Sequence, residues 1–256
     1  RPGYFKNSWG CFLDIQDLLD DDVSIVSLPS VYYQFQEAMS DKNSSFAEIG
    51  EIIIYDSGLT TRLLKIVNSA YYGLPAKIEK VSHAIACGLI ARKLASYNEV
   101  LDPEKFFVAG MLHDIGQIVL CTKLPELTLK ILLEAQSQNQ PLHVLEDHEL
   151  GFNHAELGGR LLEKWNLSEF HIETTEFHHK PAIAPNYSME SSILYYADIL
   201  ANTMKLGCSG ESATTPALDE ENWERLQVSG QIILPDLKEE IHKEYNETVS
   251  LFLQSA

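Results

Sequence analysis

Apolar residues recur at helical spacing along most of the chain, and hardly any window alternates with the period of a β-strand. The third apolar segment, 59–72, ends at Gly73 with Pro75 two residues later, which is a typical helix stop. We therefore predict an all-α fold. The predicted helices are 30–39, 45–55, 59–72, 82–97, 103–121, 126–136, 153–165, 168–178, 188–205 and 237–253.

Two polar residues give candidate helix starts, and one polar stretch gives a candidate linker. Asn153, with Glu156 three residues later, resembles a capping box, and Ser168 is placed to cap the following helix in the same sense. Residues 206–217 are rich in Gly, Ser and Thr, so we expect a flexible connection there. It would separate a main body from a C-terminal helix.

The informative residues are acidic side chains set into apolar helices. His113 and Asp114 interrupt the apolar stretch 106–120, with no Lys or Arg between Lys105 and Lys123. Asp198 lies in a second apolar stretch, and no Lys or Arg occurs in 181–204. An ionised carboxylate buried without compensation costs several kcal/mol. Two such carboxylates suggest that a single positive group compensates the charge of both, and a divalent metal would be such a group.

Histidines that could complete such a site occur further along the chain. His154 lies on the apolar face of its predicted helix, and His178 and His179 close another. Because neighbouring helical positions diverge by about 100°, we expect only one of the last two to point at a given site. The alternative is a metal-free network in which the imidazoles pair with Asp114 and Asp198. Spacing alone does not choose between the two.

Composition narrows the classes of partner. The chain has 256 residues, of which 45% are apolar, and a formal charge of −18. Because nucleic acid and anionic membranes are repelled by such a surface, neither is an expected partner. The four cysteines, Cys11, Cys87, Cys121 and Cys208, are widely scattered, which favours reduced, buried thiols in a cytoplasmic protein. No signal peptide or membrane span is expected from the sequence.

Several motifs in order resemble the HDOD subgroup of the HD superfamily of metal-dependent phosphohydrolases. They are 112–116 (LHDIG), 154–158 (HAELG), the His178-His179 pair, Asp198, and upstream 63–75 (LLKIVNSAYYGLP) and 81–85 (VSHAI). The resemblance covers about 23–206. It implies an N-terminal helical bundle packed on an HD-like multi-helix core.

The resemblance also implies domain boundaries and metal ligands. We expect an N-terminal extension (1–22), an HDOD domain (23–206) and a linker with a C-terminal helix (207–256). Within the HDOD domain, 23–98 would be the helical bundle and 99–206 the HD-like core. The implied metal ligands are His113, Asp114 and Asp198 with an upstream His, joined in two-metal members by His154 and one of His178 and His179. Such donors suit Fe, Mn, Ni or Zn.

Three departures from the HD pattern point away from an active enzyme. Gln117 stands where active relatives often have Lys, no Gly-Tyr-Pro follows His179, and no His lies in 91–111. The connection before His113 also looks shorter than in relatives, so either residues or the upstream His are missing there. His83 could take that role, although it fits the Ser-His-Ala-Ile signature of the N-terminal half better.

Asn68 and Ser69 belong to the family signature, together with Tyr71 and Tyr72. Their ligand, if any, is open. The simpler interpretation is that Asn68 and Ser69 form hydrogen bonds at a helix–loop junction while the tyrosines pack a subdomain interface.

Three hypotheses follow. The favoured one is a cytoplasmic bacterial signalling module with a degenerate HD site that acts through protein partners in its pathway. The second is a metal-dependent phosphohydrolase that cleaves a phosphoester or nucleotide. The third treats every polar residue above as core networking. Homo-oligomerisation is left open.

Overall fold

A computed structural model describes residues 14–20, 79–97, 102–207 and 230–254, and the structural statements below concern these residues. They fold into helices, without a β-strand among them, which confirms the all-α prediction. In chain order the helices are α1 (Ile15–Asp20), α2 (Glu79–Tyr97), α3 (Glu104–Leu112), α4 (Ile115–Lys123), α5 (Pro125–Gln138), α6 (Leu142–Leu150), α7 (His154–Lys164), α8 (Glu169–Glu176) and α9 (Ser188–Thr203), with a short 3₁₀ turn (Pro181–Ile183) before α9, and then α10 (Gly230–Gln254).

Helix α2 is central to the core. It packs on α3, α9 and α10, and side chains such as Leu89, Ile90 and Leu94 are fully buried. The segment 82–97 belongs to the predicted N-terminal bundle (23–98), and α2 packs directly on α3 and α9, which lie in the predicted HD-like core (99–206). The rest of that bundle, with the helices expected at 30–39, 45–55 and 59–72, lies outside the described residues.

Two glycine contacts bring the helices unusually close. A Cβ on Gly110 of α3 would lie 2.5 Å from the Cα of Gly88 on α2. A Cβ on Gly116 of α4 would lie 1.9 Å from the carbonyl oxygen of His154 at the start of α7. Because Cβ atoms essentially never approach other atoms so closely, only glycine permits these backbone crossings. They set α2 against α3 and α4 against α7.

The C-terminal helix α10 is fastened to α2 by charge and by one apolar side chain. Arg92 donates to Glu244 at 2.7 Å, Lys93 pairs with Glu240, and Ile241 is buried. The linker expected at 206–217 and the domain boundaries remain predictions, because 208–229 lies outside the described residues.

The predicted helix 103–121 is wrong in one respect that matters for function. The chain leaves α3 after Leu112 and begins α4 at Ile115, with Asp114 at φ −96° and ψ 13°. The backbone carbonyl of Asp114 then accepts from the N–H of Gln117, which starts the next helix. The side chains of His113 and Asp114 therefore sit at a break between two helices.

The later predicted helices differ at their ends, and one was missed. The segment 168–178 forms a helix only as far as Glu176, and α6 was not predicted at all. Asn153 caps α7 as expected, with its side chain accepting from the N–H of Glu156 at 3.1 Å. Ser168 precedes α8, but its hydroxyl makes no cap hydrogen bond and contacts His171 Nδ1 at 2.7 Å.

The burial of His171 should make the free energy of unfolding depend measurably on pH. Burial, aided by the charge of Lys105 on α3, lowers the pKa of His171 to about 4 from its ordinary 6.5. The unfolded chain therefore takes up this proton first, and stability falls as pH drops from 6.5 towards 4. By pH 5 this one group costs about 2 kcal/mol. The measurement is the free energy of unfolding in urea at pH 7.5 and at pH 5. Between these two pH values, the free energy of unfolding of His171→Gln should fall by about 2 kcal/mol less than that of the unmodified protein.

His148→Gln is the matched control, because the side chain of His148 is 74% exposed. Its stability should depend on pH as the unmodified protein's does. Parallel pH curves for His171→Gln and the unmodified protein would show that His171 is not held neutral by burial.

Candidate metal centre

The predicted site residues that the structure describes converge between five segments. Helix α2 supplies His83, the α3–α4 break His113 and Asp114, and the start of α7 His154. The turn after α8 supplies His178 and His179, and α9 supplies Asp198. His113 joins the two carboxylates, since its Nε2 lies 3.4 Å from Asp114 Oδ2 and 3.9 Å from Asp198 Oδ1.

On the α2 side lies what we call the Asp198 cluster, formed by His83, Cys87, His113 and Asp198. His83 Nε2 is 2.8 Å from Asp198 Oδ1, and Cys87 Sγ is 3.4 Å from the same nitrogen. The side-chain amide of Asn202, one turn further along α9, donates to Asp198 Oδ1 at 3.0 Å. The potential ligand atoms of these four residues lie within 4.8 Å of one another.

On the α7 side lies the His154 cluster, formed by His154, His178 and His179. His179 Nε2 is 2.9 Å from His154 Nε2. Asp114 lies between the two clusters, with Oδ1 3.4 Å from His154 Nε2 and 3.9 Å from His178 Nε2. One carboxylate thus faces imidazoles of both clusters.

Four of the described histidines are oriented in the same way. A carbonyl or carboxylate oxygen accepts from Nδ1 of each ring, so Nδ1 carries a hydrogen and Nε2 is the ring nitrogen directed into the site. The acceptors are Leu206 O for His83 (3.3 Å), Gly110 O for His113 (2.7 Å), Glu146 Oε2 for His154 (2.5 Å) and Thr175 O for His178 (2.7 Å).

This orientation fits a cation and leaves polar atoms unsatisfied without one. The Nε2 atoms of His113 and His178 are buried without a hydrogen-bond partner. Buried polar groups are nearly always paired, and those at a functional site often await an ion or water. Imidazole nitrogens and carboxylate oxygens directed at one interior are the donor set of transition-metal sites.

In the protein without metal, protons take the place of a metal's positive charge. Burial opposes ionisation of Asp114, but the charges of His113 and His154 hold its pKa well below the usual range. Burial likewise opposes a charge on His154, but Glu146 and Asp114 hold its pKa well above the usual range. Burial and the neighbouring His113 and His154 lower the pKa of His178 to about 3. A metal ion would displace such protons.

Glu146 on α6 is a functional residue that the sequence did not point to. It is 1% exposed, and its Oε2 accepts both from His154 Nδ1 and from the backbone N–H of His154, the latter at 2.9 Å. A carboxylate behind a ligating imidazole fixes its tautomer and raises its basicity. One signal was available in the sequence: Glu146 is an acidic residue on the helical face that Leu142, Leu145 and Leu150 make apolar.

Both His178 and His179 belong to the His154 cluster, contrary to the expectation that only one of them would point at a given site. The 100° divergence holds only inside a helix, and α8 ends at Glu176. His143 of α6 stacks on His179 with ring centroids 4.1 Å apart. The sequence did not single out His143 either.

His83 belongs to the family signature and was the candidate stand-in for the upstream His. Its Nε2 lies 2.8 Å from Asp198 Oδ1, a contact that the stand-in role requires. Cys87, one turn later on α2, also belongs to the Asp198 cluster, although its thiol was expected only to fill space. Asn68 and Ser69 lie outside the described residues.

The site is closed over most of its surface. The side chains of His83, His113, His154 and His178 are at most 1% exposed, whereas that of Asp114 is 20% exposed. Among the described residues, the ion-pair partners of Asp114 and Asp198 are imidazoles throughout. Solvent therefore reaches the carboxylate of Asp114 but hardly reaches these four imidazoles.

The fold and site define an HD-type helical domain with a buried cluster of histidines and aspartates. The family model of the HDOD domain matches residues 25–87 and 81–181. The chain therefore belongs to the HDOD family. The two matched ranges overlap in 81–87, the segment that contains His83.

Relatives support the same fold. A protein of uncharacterised function from Treponema pallidum is 28% identical over 208 residues, which is 67% of this chain and 40% of that protein, so the chain spans less than half of its relative. An HDOD domain protein of unknown function from Geobacter sulfurreducens superposes with a TM-score of 0.64 at 19% identity, covering 93% of this chain and 90% of the other. A candidate phosphohydrolase from Shewanella amazonensis superposes with a TM-score of 0.58 at 19% identity, and the match covers 93% of this chain and 98% of the other.

No described helix has the length and apolar character needed to cross a membrane. The apolar stretch 106–120 is divided between α3 and α4 by the break at His113 and Asp114.

Removal of Glu146 should destabilise the domain. Glu146→Ala leaves two buried N–H donors of His154 without an acceptor, so we expect a loss of about 2–4 kcal/mol in the free energy of unfolding at pH 7.5. Glu149→Ala on the same helix is the control. It removes contacts to the exposed His148 and Lys130, and a loss of about 1 kcal/mol or less is expected. Equal losses in urea unfolding would contradict the role of Glu146.

Proposed function

We propose that this chain is a signal-transduction module of the bacterial cytoplasm whose HD-type site holds a divalent transition metal and which acts by contacting protein partners of its pathway. The observation that carries the metal is the common orientation of the rings of His83, His113, His154 and His178 towards two buried carboxylates. The HDOD family resemblance is what points to signalling.

The ligands divide between the two clusters. His83, His113 and Asp198 would hold one ion, and His154, His178 and His179 are placed to hold another, with Asp114 between them. Imidazole nitrogens with carboxylate oxygens suit Fe, Mn, Ni or Zn better than Ca. Glu146 and the backbone carbonyls behind the rings keep their lone pairs directed inwards.

A binding role is favoured over hydrolysis by the charges around the site. A phosphoryl group needs positive charge near its oxygens, and the described partners of Asp114 and Asp198 are imidazoles rather than Lys or Arg. Gln117 replaces the Lys that active relatives often have, and it is buried in α4. The described residues accordingly offer a metal site with little provision for a phosphorylated substrate.

Metal-dependent phosphohydrolase is the second candidate, and two observations favour it. His83 fills the place of the upstream His, so the implied ligand set is more complete than the sequence indicated. The side chain of Asp114 is one-fifth exposed, which leaves a route to the site. A bound metal would supply a water of lowered pKa and offset the charge of a phosphoester. In this candidate Asp114 and His154 would serve as metal ligands, with Glu146 orienting the ring of His154.

Metal content tests the proposal directly. We expect the purified full chain, dialysed against metal-free buffer, to retain a transition metal near stoichiometric amounts by elemental analysis. Asp198→Asn should reduce that content about tenfold or more, because it removes a charged ligand in contact with two histidines. Asp102→Asn, at an exposed position, is the matched control and should keep the metal. A protein without metal, even after addition of Zn²⁺, Mn²⁺ or Fe²⁺, would contradict the centre and leave a network of hydrogen bonds.

Hydrolysis separates the two candidates. We expect the metal-loaded protein to release no p-nitrophenol from bis(p-nitrophenyl) phosphate, and no phosphate from nucleotides, above the level of Asp114→Asn. The physical reason is the absence of a cationic side chain among the described ion-pair partners of the two aspartates. Turnover that Asp114→Asn abolishes while Asp102→Asn retains it would establish the phosphohydrolase instead.

A further inference from the structure

We propose that Cys87 is a metal ligand, so that the Asp198 cluster is a mixed thiolate, imidazole and carboxylate site for a thiophilic ion such as Zn²⁺ or Co²⁺. This inference rests on the metal centre proposed above. It adds a sulfur donor to the ligands His83, His113 and Asp198. A sulfur donor makes the site prefer thiophilic ions over Mn²⁺ and Mg²⁺.

The position of Cys87 on α2 makes it a natural partner of His83. The two residues are four positions apart, so their side chains share one face of the helix. Cys87 Sγ lies 3.4 Å from His83 Nε2 and 3.9 Å from Asp198 Oδ1. A four-residue spacing of this kind lets one helix turn supply two ligands to one ion.

The observed separations lie within about 0.5 Å of the edges of a coordination tetrahedron. Zinc binds nitrogen and oxygen at about 2.0–2.2 Å and sulfur at about 2.3 Å, which places neighbouring tetrahedral ligands about 3.3–3.6 Å apart. The separations to Asp198 Oδ1 are 2.8 Å from His83 Nε2, 3.9 Å from Cys87 Sγ and 3.9 Å from His113 Nε2. Their spread brackets the ideal edge, so small side-chain rotations suffice.

A second observation points to a ligand at the same place. His113 Nε2 is buried and has no hydrogen-bond partner, although Gly110 O engages Nδ1 of the same ring. His113 Nε2 and Cys87 Sγ each lie 3.9 Å from Asp198 Oδ1. An ion bound to Cys87, His83 and Asp198 would also satisfy His113.

The thiol must lose its proton on binding. In the protein without metal, burial and the charge of Asp198 hold the pKa of Cys87 well above its usual range, so the group is a neutral thiol. Binding forms a metal–sulfur bond, breaks the S–H bond and releases the proton to water or buffer. Thiolate is a soft ligand, so its presence favours Zn²⁺ and Co²⁺ over Mn²⁺ and Mg²⁺.

Cobalt spectroscopy tests the sulfur bond apart from any activity. We expect the full chain, freed of metal by chelation and titrated anaerobically with Co²⁺, to show a sulfur-to-cobalt charge-transfer band in the near ultraviolet and tetrahedral d–d bands in the visible. Cys87→Ser and Cys87→Ala should both lose the charge-transfer band. Cys87→Ala should also release one proton fewer per metal ion, and its preference for Zn²⁺ over Mn²⁺ should fall about tenfold or more.

Cys121→Ser is the matched control, because Cys121 is also a buried cysteine but lies outside the metal clusters. It should keep the band. Stoichiometric cobalt binding to the unmodified protein without that band would overturn the role of Cys87 and leave the centre intact. A band that persists in both Cys87 variants would overturn it as well. Failure of the unmodified protein to bind cobalt or zinc would overturn both proposals.

Discussion

Two carboxylates set the constraint on which the rest of this structure depends. Asp198 is buried and Asp114 is partly buried, and their described ion-pair partners are imidazoles. Their negative charge must be balanced, since burying an uncompensated carboxylate costs several kcal/mol. Protons on the histidines can supply that balance, and so can a metal. The groups that orient the rings, such as Glu146 and the carbonyl of Gly110, are compatible with both the protonated state and the metal-bound state.

The close helix crossings are what allow so many donors to share one interior. Gly88 meets Gly110, and Gly116 meets the backbone of His154. The first contact sets the helix that carries His83 against the break that carries His113. The second sets that break against the start of α7. Larger residues would separate these backbones, and donors now a few ångströms apart would no longer reach a common ion.

The sequence predicted the elements of the site better than their geometry. Long stretches without Lys or Arg around Asp114 and Asp198 indicated a shared solution, and the structure brings both to His113. Helical periodicity gave the fold class. It could not give the break at His113, because apolar spacing continues through it. Nor could it give the turn that directs both His178 and His179 inwards, since that depends on where α8 ends.

The assignment of His83 was ambiguous for a related reason. Segment 81–87 falls within both ranges matched by the HDOD family model, so local sequence fits it equally to either half. Its contact with Asp198 is 115 residues distant along the chain, and only tertiary packing reveals it. Glu146 was missed because charge inside a short, weakly periodic segment indicates a surface turn as readily as a buried partner.

The hydrogen bond from His83 Nδ1 to the carbonyl of Leu206 ties the site to the path of the chain. Leu206 lies just after Lys205, whose φ of 56° turns the backbone away from α9. The same helix that carries His83 is gripped at its far end by Glu240 and Glu244 of α10. A displacement of the chain where it leaves α9 would therefore move the acceptor of the His83 hydrogen bond. The orientation of this candidate ligand thus depends on the path of the chain at Leu206.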